Sequence, residues 1–171
     1  MRAADETIRI RPAADADLDG ITAIYNEVIA TSTAVFRDDP VTVAERRAWL
    51  ADRRARGFPV LVARDADRVA GFGSFGDFRP WPGYRTTVEH TVHVSSEHRR
   101  RGIGGRLVAA LIDEARAGGL HAMIAGVVST NEASLALHRR LGFAEVGRLP
   151  EVARKFDAWL ELVLLELLLD R

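Results

Sequence analysis

The chain has 171 residues, and 24 aspartates and glutamates balance its 24 lysines and arginines. A chain of this length is most simply one domain, residues 1–171, with room for a buried core. Because the net charge is zero, no overall field favours nucleic acid or an anionic membrane as a partner. The lack of cysteine excludes disulfides, a thiolate nucleophile and a cysteine-ligated zinc site.

The sequence indicates neither a signal peptide nor a membrane span. Its N-terminus has no apolar leader region, and no uncharged stretch reaches the roughly 20 residues that cross a bilayer. We therefore expect a soluble, cytoplasmic protein without a membrane partner.

The first part of the chain predicts a strand followed by two helices. Residues 7–11 alternate apolar and charged side chains, as a strand does. Asp15 is a suitable N-cap for a helix whose apolar residues recur at helical spacing over residues 18–29. The segment Thr42-Val-Ala-Glu45 has the form of a capping box, so a second helix is expected from there to Gly57.

A β-hairpin and a long strand are predicted next. Residues 58–63 and 69–75 are mainly apolar and flank a short turn, which predicts a hairpin. Glycines in and just after its second strand indicate close approach by another backbone or by a ligand. These are Gly71, Gly73 and Gly76. A further strand is expected over residues 86–94.

Two loops are candidates for contact with a substrate. The segment FRPWPGYR holds two prolines and a glycine, so it is not expected to be regular structure. Its Arg79, Tyr84 and Arg85 directly precede a strand, where binding residues collect, and arginine with tyrosine can hold a carboxylate. The alternative is a rigid surface loop held by its own aromatics. Phe36, in the loop between the first two helices, either packs locally or closes over a small substrate.

The clearest binding motif is VHVSSEHRRRGIGGR, residues 92–106. A strand leads through a basic loop into a helix that begins at Gly102 and is marked by apolar residues at helical spacing. The first helical turn has unpartnered N–H groups and the positive end of the helix dipole, so it predicts a site for phosphate or pyrophosphate. The spacing is neither that of a Rossmann loop nor that of a Walker loop. The alternative is a plain connection with solvated arginines.

The remaining residues predict two strands and a helix, followed by an ambiguous segment. Residues 121–128 and 143–149 are strand-like and flank a helix over residues 131–141. Ser129 or Thr130 is expected to cap that helix. Residues 159–169 are rich in leucine and glutamate, which favour a helix by propensity.

Several motifs together resemble one enzyme family. Arg99-x-x-Gly102-x-Gly104 resembles the R/Q-x-x-G-x-G/A signature of the GCN5-related N-acetyltransferases, and residues 131–143 resemble their N-x-x-S helix with its following L-G-F. Blocks such as GYRTTVEHTVHV and LHRRLGFAEVGRL resemble the branch that acetylates phosphinothricin and methionine sulfoximine. The resemblance implies an α/β (α+β) fold. Its central sheet is mixed, mostly antiparallel and seven-stranded, flanked by about four helices and splayed at strands 4 and 5. Residues 159–169 become the last strand.

The resemblance also implies the cosubstrate and its site. Family members hold acetyl-CoA, without a metal, through the fourth strand, the phosphate loop and the N-x-x-S helix. They commonly form homodimers in which C-terminal segments contribute to the interface. The corresponding cofactor-binding residues here are Val92, His93, Val94, Arg99, Arg100, Arg101, Gly102, Ile103, Gly104, Gly105, Arg106, Asn131 and Ser134.

Three side chains are candidates for the chemistry. A protonated amine cannot attack a thioester, and Glu89, on the strand before the phosphate loop, is the first candidate for the base that accepts its proton. The alternative is a strand carboxylate paired with an arginine. His90, which points to the opposite face of a regular strand, is the second candidate for the base and for substrate contact. His138 occupies the position of a tyrosine in many family members, so it is either an acid for the leaving thiolate or a surface histidine.

The resemblance therefore implies transfer of acetyl to the α-amino group of a small amino-acid-like compound. Direct attack is expected, because no cysteine can carry the acetyl group. Phe36, Arg79, Tyr84 and Arg85 would shape the acceptor site. Two alternatives are an enzyme that acetylates a polyamine or aminoglycoside, which would need an acidic pocket, and a non-catalytic acetyl-CoA sensor.

Overall fold

The computed structural model describes residues 7–170, which contain seven strands and four α-helices. The strands are β1 (Ile8–Pro12), β2 (Val60–Asp65), β3 (Arg68–Asp77), β4 (Thr87–Val94), β5 (Ala122–Val128), β6 (Ala144–Lys155) and β7 (Ala158–Leu168). The helices are α1 (Leu18–Thr31), α2 (Val43–Ala55), α3 (Ile103–Ala117) and α4 (Glu132–Arg140). The predicted fold class is confirmed. The ends of the proposed domain, residues 1–6 and 171, lie outside the described residues.

The strands form one sheet in the order β1-β2-β3-β4-β5-β7-β6. Every neighbouring pair is antiparallel except β4 and β5, which run parallel. That parallel pairing joins only Thr87–Glu89 to Ala122–Ile124 and then stops, although both strands continue. The predicted splay between the fourth and fifth strands is therefore confirmed.

Each face of the sheet is covered by a different pair of helices. On one face α1 and α2 bury a cluster that includes Ile21, Leu50 and Phe72. On the other face α3 buries Leu107 and Leu111 completely, in a cluster to which α4 adds a leucine. Truncating either buried α3 leucine to alanine would cost about 2–5 kcal/mol, because the tight packing leaves a cavity. The two clusters hold β4 between them.

The start of α1 differs from the prediction. Asp15 lies in a 3₁₀ turn and forms ion pairs with two arginines of α2, so it is not the cap. Asp17 instead accepts the N–H of Ala14 at 2.8 Å, and Arg11 and Arg64 each contact it at 2.7 Å. Burial alone would raise the pKa of Asp17, but these hydrogen bonds outweigh it and hold the pKa below its usual value. Arg11 of β1 and Arg64 of β2 thus hold the buried Asp17 carboxylate, a contact that the sequence pattern did not predict.

The second helix begins as predicted. Oγ1 of Thr42 accepts the N–H of Glu45 at 3.1 Å, and the Glu45 carboxylate accepts the N–H of Thr42 at 2.7 Å. This reciprocal capping box contributes about 1 kcal/mol.

Two predictions in the C-terminal half need correction, and an ambiguous one is resolved. Neither Ser129 nor Thr130 caps α4; the side chain of Asn131 does so by accepting the N–H of Ser134 at 3.2 Å. The strand that was expected to end at residue 149 continues to Lys155, because register shifts let β6 follow β7 along its whole length. Residues 159–168 form a strand, as the family resemblance implied and against their helix propensity. This segment is strand β7, which pairs with β5 and β6 on its two sides, so tertiary pairing overrides local preference.

The glycines of β3 explain how closely it approaches β4. A Cβ at Gly71 would lie 2.9 Å from the carbonyl oxygen of His93, and one at Gly73 would lie 3.2 Å from that of Thr91. The predicted close approach of another backbone is confirmed for this strand. None of the helices within residues 7–170 combines the length and apolarity needed to traverse a membrane.

Candidate active site

The open edge of β4 is the centre of the candidate site. The N–H of Ser95 donates to the carbonyl of Ala70, which fixes the antiparallel ladder so that odd-numbered residues of β4 bond to β3. The backbone N–H and C=O groups of Val92 and Val94 therefore point the other way. On that side, pairing with β5 has already ended at Glu89. Two residues of strand edge are therefore left without a neighbouring strand, at the valines for which the sequence predicts cofactor contact.

His93 does not face that edge. Its backbone is on the β3 side of the ladder, and its buried ring packs against Tyr25 and Phe72 with centroids 5.5 and 5.3 Å away. Burial, with Arg46 nearby, lowers the pKa of His93 to about 4, so the ring is neutral at pH 7. The structure thus gives His93 a packing environment rather than a place along the predicted cofactor path.

The loop before α3 has the backbone geometry of an anion site. Arg100 and Gly102 adopt left-handed conformations with φ of 62° and 78°, and no side chain caps the helix. The first helical bond is donated by Arg106 to the carbonyl of Gly102. The N–H groups of the first turn, residues 103–105, therefore have no partner within the helix. Gly105 has a packing role as well, since a Cβ there would lie 3.1 Å from Leu137.

The four arginines of this loop divide into two pairs. Arg101 donates to Asp65 at 2.7 Å, and Arg106 donates to the carbonyl of Ile8 at 2.8 Å, so both anchor the loop to neighbouring strands. Arg99 and Arg100 are exposed, and their guanidinium groups form no ion pair with residues 7–170. Only this second pair is available for phosphate oxygens.

Glu89 lies on the α1/α2 face of β4, where the sheet opens. Its Oε1 sits above Gly126 of β5, where an added Cβ would lie 3.2 Å away. Within the described part of the chain the carboxylate accepts no hydrogen bond and forms no ion pair, unlike the arginine-paired alternative. Burial raises the pKa of Glu89, and the charge of Arg79 partly opposes this rise. A partly desolvated, unpaired carboxylate is suited to accept a proton.

His90 and His138 form a buried pair on the opposite face. Their Nε2 atoms are 3.1 Å apart, and Nδ1 of His138 lies 2.7 Å from the carbonyl of Ser134. A carbonyl only accepts, so Nδ1 of His138 carries a proton, and its Nε2 accepts from His90. Burial, with His138 nearby, lowers the pKa of His90 to about 3, and burial also lowers the pKa of His138 despite the bond to Ser134.

This arrangement excludes the surface alternative for His138 and argues against acceptor contact by His90. His138 is 5% exposed, so it is not a surface histidine. His90 is directed away from Glu89 towards α4, where it contacts His138 and Phe143, so the structure does not bring it to the acceptor side. Its Nδ1 is buried without a hydrogen-bond partner among the described residues.

The predicted acceptor residues are exposed on two loops. Arg79 stacks on Phe78 at 4.2 Å, and the ring of Tyr84 contacts Phe78 edge-on at 5.7 Å. The loop is therefore held by its own aromatics, as the alternative expected, yet Arg79 is close enough to Glu89 to lower its pKa. Arg85 donates to a carbonyl of its own loop, and Phe36 is 47% exposed.

Sequence reasoning missed three buried or partly buried cations. Lys155 donates to the carbonyls of Ile29, Ser32 and Val35 at 2.6–2.9 Å and so holds the loop that bears Phe36. Arg46 stacks between the rings of Trp49 and Tyr25, and Arg53 lies against β3. Their partners are distant in sequence or aromatic, so no local motif could indicate them.

Comparison with known proteins agrees with this geometry. The model of the acetyltransferase (GNAT) family matches residues 21–143. The chain belongs to this family. It is an N-acetyltransferase, and the motif resemblance is confirmed.

Relatives of this N-acetyltransferase have named substrates. It is 49% identical over 162 residues to an L-methionine sulfoximine/L-methionine sulfone acetyltransferase of Pseudomonas aeruginosa, covering 94% of each chain. It is 38% identical to a phosphinothricin N-acetyltransferase of Streptomyces coelicolor, covering 90% of this chain and 95% of the relative. The crystal structure of a GNAT phosphinothricin acetyltransferase from Sinorhizobium meliloti, in complex with acetyl-CoA, superposes with a TM-score of 0.91 at 32% identity. It covers 95% of this chain and 88% of the other.

Proposed function

We propose that this N-acetyltransferase transfers acetyl from acetyl-CoA to the α-amino group of a small amino-acid-like acceptor, such as methionine sulfoximine, methionine sulfone or phosphinothricin. The observation that carries the proposal is the unpaired, partly buried carboxylate of Glu89 beside the open edge of β4. The substrates named for the relatives support the acceptor class.

The residues present fit acetyl-CoA as the cosubstrate. The unpaired edge at Val92 and Val94 would bond its pantetheine arm as a neighbouring strand would. The free N–H groups at the start of α3, together with Arg99 and Arg100, would hold the pyrophosphate. Asn131 and Ser134 lie at the start of α4, where they would contact the same arm. When bound, acetyl-CoA supplies the thioester as the acetyl donor.

Glu89 would act as the general base. The acceptor arrives as an ammonium ion, and the carboxylate would take one proton so that the amine lone pair can attack. The raised pKa matches this task better than an ordinary carboxylate would.

His138 fits the role of acid less directly. Both of its ring nitrogens are engaged, one by the Ser134 carbonyl and one by His90. Protonation of the leaving thiolate by His138 would require one of these contacts to break.

The acceptor would lie between the sheet and two loops. Phe36, Arg79, Tyr84 and Arg85 would shape this space. Arg79 is close enough to act on Glu89, and guanidinium groups favour an acceptor with a carboxylate. A polyamine or aminoglycoside is less suited, because the positive charge of Arg79 acts on the base.

The domain organisation, location, partners and oligomeric state are proposed from the sequence and the surface of the protein. We propose a single cytoplasmic domain that uses no metal and acts on small molecules rather than nucleic acid or membranes. We also propose a homodimer, which is supported by exposed apolar side chains near the turn between β6 and β7. These are Val152, Phe156 and Trp159.

The test is the release of free CoA from acetyl-CoA with a panel of amines. Methionine sulfoximine, methionine sulfone and phosphinothricin should support turnover, whereas spermidine and an aminoglycoside should not. Glu89→Gln should lower kcat by about 100-fold or more and leave acetyl-CoA binding unchanged. Turnover only with the polycations would discard the acceptor assignment. Tight acetyl-CoA binding without turnover of any amine would indicate a sensor instead.

A further inference from the structure

Arg53 is a cation without an anion. It projects from the sheet-facing side of α2 and is partly buried, and its Nε is fully buried without a hydrogen-bond partner in the described chain. Its guanidinium forms no ion pair with any residue of 7–170. The charges of Asp52 and Asp77 act on it without an ion pair, and both carboxylates are contacted by Arg56 instead. Burial lowers the pKa of Arg53, which a bound anion would reverse.

The guanidinium of Arg53 occupies the space that a side chain at position 76 would fill. A Cβ on Gly76 would overlap Nη1 of Arg53 and lie 2.7 Å from its Cζ, so the glycine makes room for the cation. Gly76 is the direct cross-strand partner of Glu89. Residues paired in this way present their side chains on the same face of a sheet. Arg53 and Glu89 therefore stand side by side on the α1/α2 face.

The spacing between the two groups suits an α-amino acid. Cross-strand Cβ positions are about 5 Å apart. The Glu89 carboxylate extends towards Gly126, on the far side of β4 from Arg53, so the two charged ends lie farther apart than the Cβ positions. The nitrogen and carboxylate carbon of an α-amino acid are about 2.5 Å apart, and a hydrogen bond at each end adds about 3 Å. Such a molecule can span the gap, with its amine at Glu89.

We propose that Arg53 binds the α-carboxylate of the acceptor and thereby selects α-amino acids over simple amines. This inference rests on the proposed function, because it assumes that Glu89 receives the acceptor amine. The planar guanidinium can contact a carboxylate through two parallel hydrogen bonds, which fixes its orientation as well as its position. Arg79 and Arg85, on the exposed loop, are left to contact the far end of the acceptor.

The experiment pairs an enzyme change with a substrate change. Methionine sulfone is compared with 3-(methylsulfonyl)propylamine, the same molecule without its carboxylate. Arg53→Gln should lower kcat/KM for methionine sulfone by roughly 30- to 100-fold, as expected for loss of a charge-assisted pair. It should change kcat/KM for the amine by less than about threefold, because that molecule has no carboxylate for Arg53 to bind. The KM for acetyl-CoA should not change.

Two further variants make the result specific. Arg53→Lys keeps the charge but loses the planar guanidinium that makes two parallel hydrogen bonds, so it should recover only part of the preference for methionine sulfone. It also replaces Arg53→Gln in the test if that variant does not fold. Arg47→Gln removes a charge from the exposed side of the same helix and should leave both substrates unaffected.

Four outcomes would overturn the inference. Equal losses on both substrates would make Arg53 a packing residue. A carboxylate preference that disappears in Arg79→Gln but not in Arg53→Gln would move the site to the loop. A wild-type enzyme that acetylates the amine as well as the amino acid recognises no carboxylate, although the proposed acetyl transfer would still stand. If no amino acid is acetylated at all, the proposed function fails and the inference falls with it.

Discussion

His138 and His90 meet through Nε2 atoms 3.1 Å apart, on the face of the sheet that Glu89 does not occupy. Because the Ser134 carbonyl requires the proton on Nδ1 of His138, a single hydrogen bond orders both rings. The pair fastens α4 to β4 next to the splay. The neutral form of both rings therefore contributes to the stability of the site.

The first prediction is that acid weakens the fold through this pair. In the unfolded chain both histidines titrate near pH 6.5, whereas burial lowers both pKa values in the folded protein, that of His90 to about 3. The unfolded state therefore binds more protons as the pH falls below 6.5. The free energy of unfolding should decrease by up to about 1.4 kcal/mol per pH unit for each histidine, and the contribution is complete only above pH 6.5.

Urea unfolding measured between pH 7 and pH 5 checks this dependence. The matched variant replaces both rings, His90→Phe with His138→Phe, so that neither partner is left unpaired. Its free energy of unfolding should depend less on pH over the same range. Parallel pH dependences in the two proteins would show that the pair does not carry the effect.

Much of this site was predictable from local sequence, for a physical reason. The phosphate loop, the capping box and the glycines of β3 are set by backbone requirements that a short segment satisfies alone. Segment 159–169 was not predictable from propensity, because its strand form depends on pairing with β5 and β6. Arg53 and Lys155 were missed for a related reason: their environments are formed by residues far away in the chain.

The second prediction separates the arginines proposed to bind phosphate from those that hold the loop. Arg99 and Arg100 are exposed, whereas Arg101 is bound to Asp65 and lowers the pKa of that carboxyl by hydrogen bonding. Replacing both Arg99 and Arg100 with glutamine should raise the KM for acetyl-CoA by roughly tenfold or more and reduce its dependence on salt. The free energy of unfolding should hardly change.

Arg101→Gln is the matched variant, since it removes one charge from the same loop. It should lower the Tm, because the loop loses its contacts to Asp65 and to Thr7. The salt dependence of the KM for acetyl-CoA should stay as in the wild type. If Arg101→Gln instead abolishes the salt dependence, the division between binding and anchoring arginines is wrong.

The third prediction concerns the lysine that holds the Phe36 loop. Nζ of Lys155 is buried and donates to the carbonyls of Ile29, Ser32 and Val35. Lys155→Met would leave three carbonyls without their charged donor, so the free energy of unfolding should fall by about 2–3 kcal/mol. Amide hydrogen exchange in residues 32–36 should speed up most, because this loop loses its anchor to β6.

The adjacent Arg154 provides the control for Lys155. It is exposed, and its contacts are an ion pair with the exposed Asp157 and a stack over the exposed Trp159 ring, so Arg154→Gln should leave both the free energy of unfolding and the exchange rates close to wild type. If Phe36 contacts the acceptor, Lys155→Met should also raise the KM for methionine sulfone more than that for acetyl-CoA. A uniform rise in exchange across the whole chain, with no excess in residues 32–36, would instead mean that Lys155 supports the fold globally and does not position this loop.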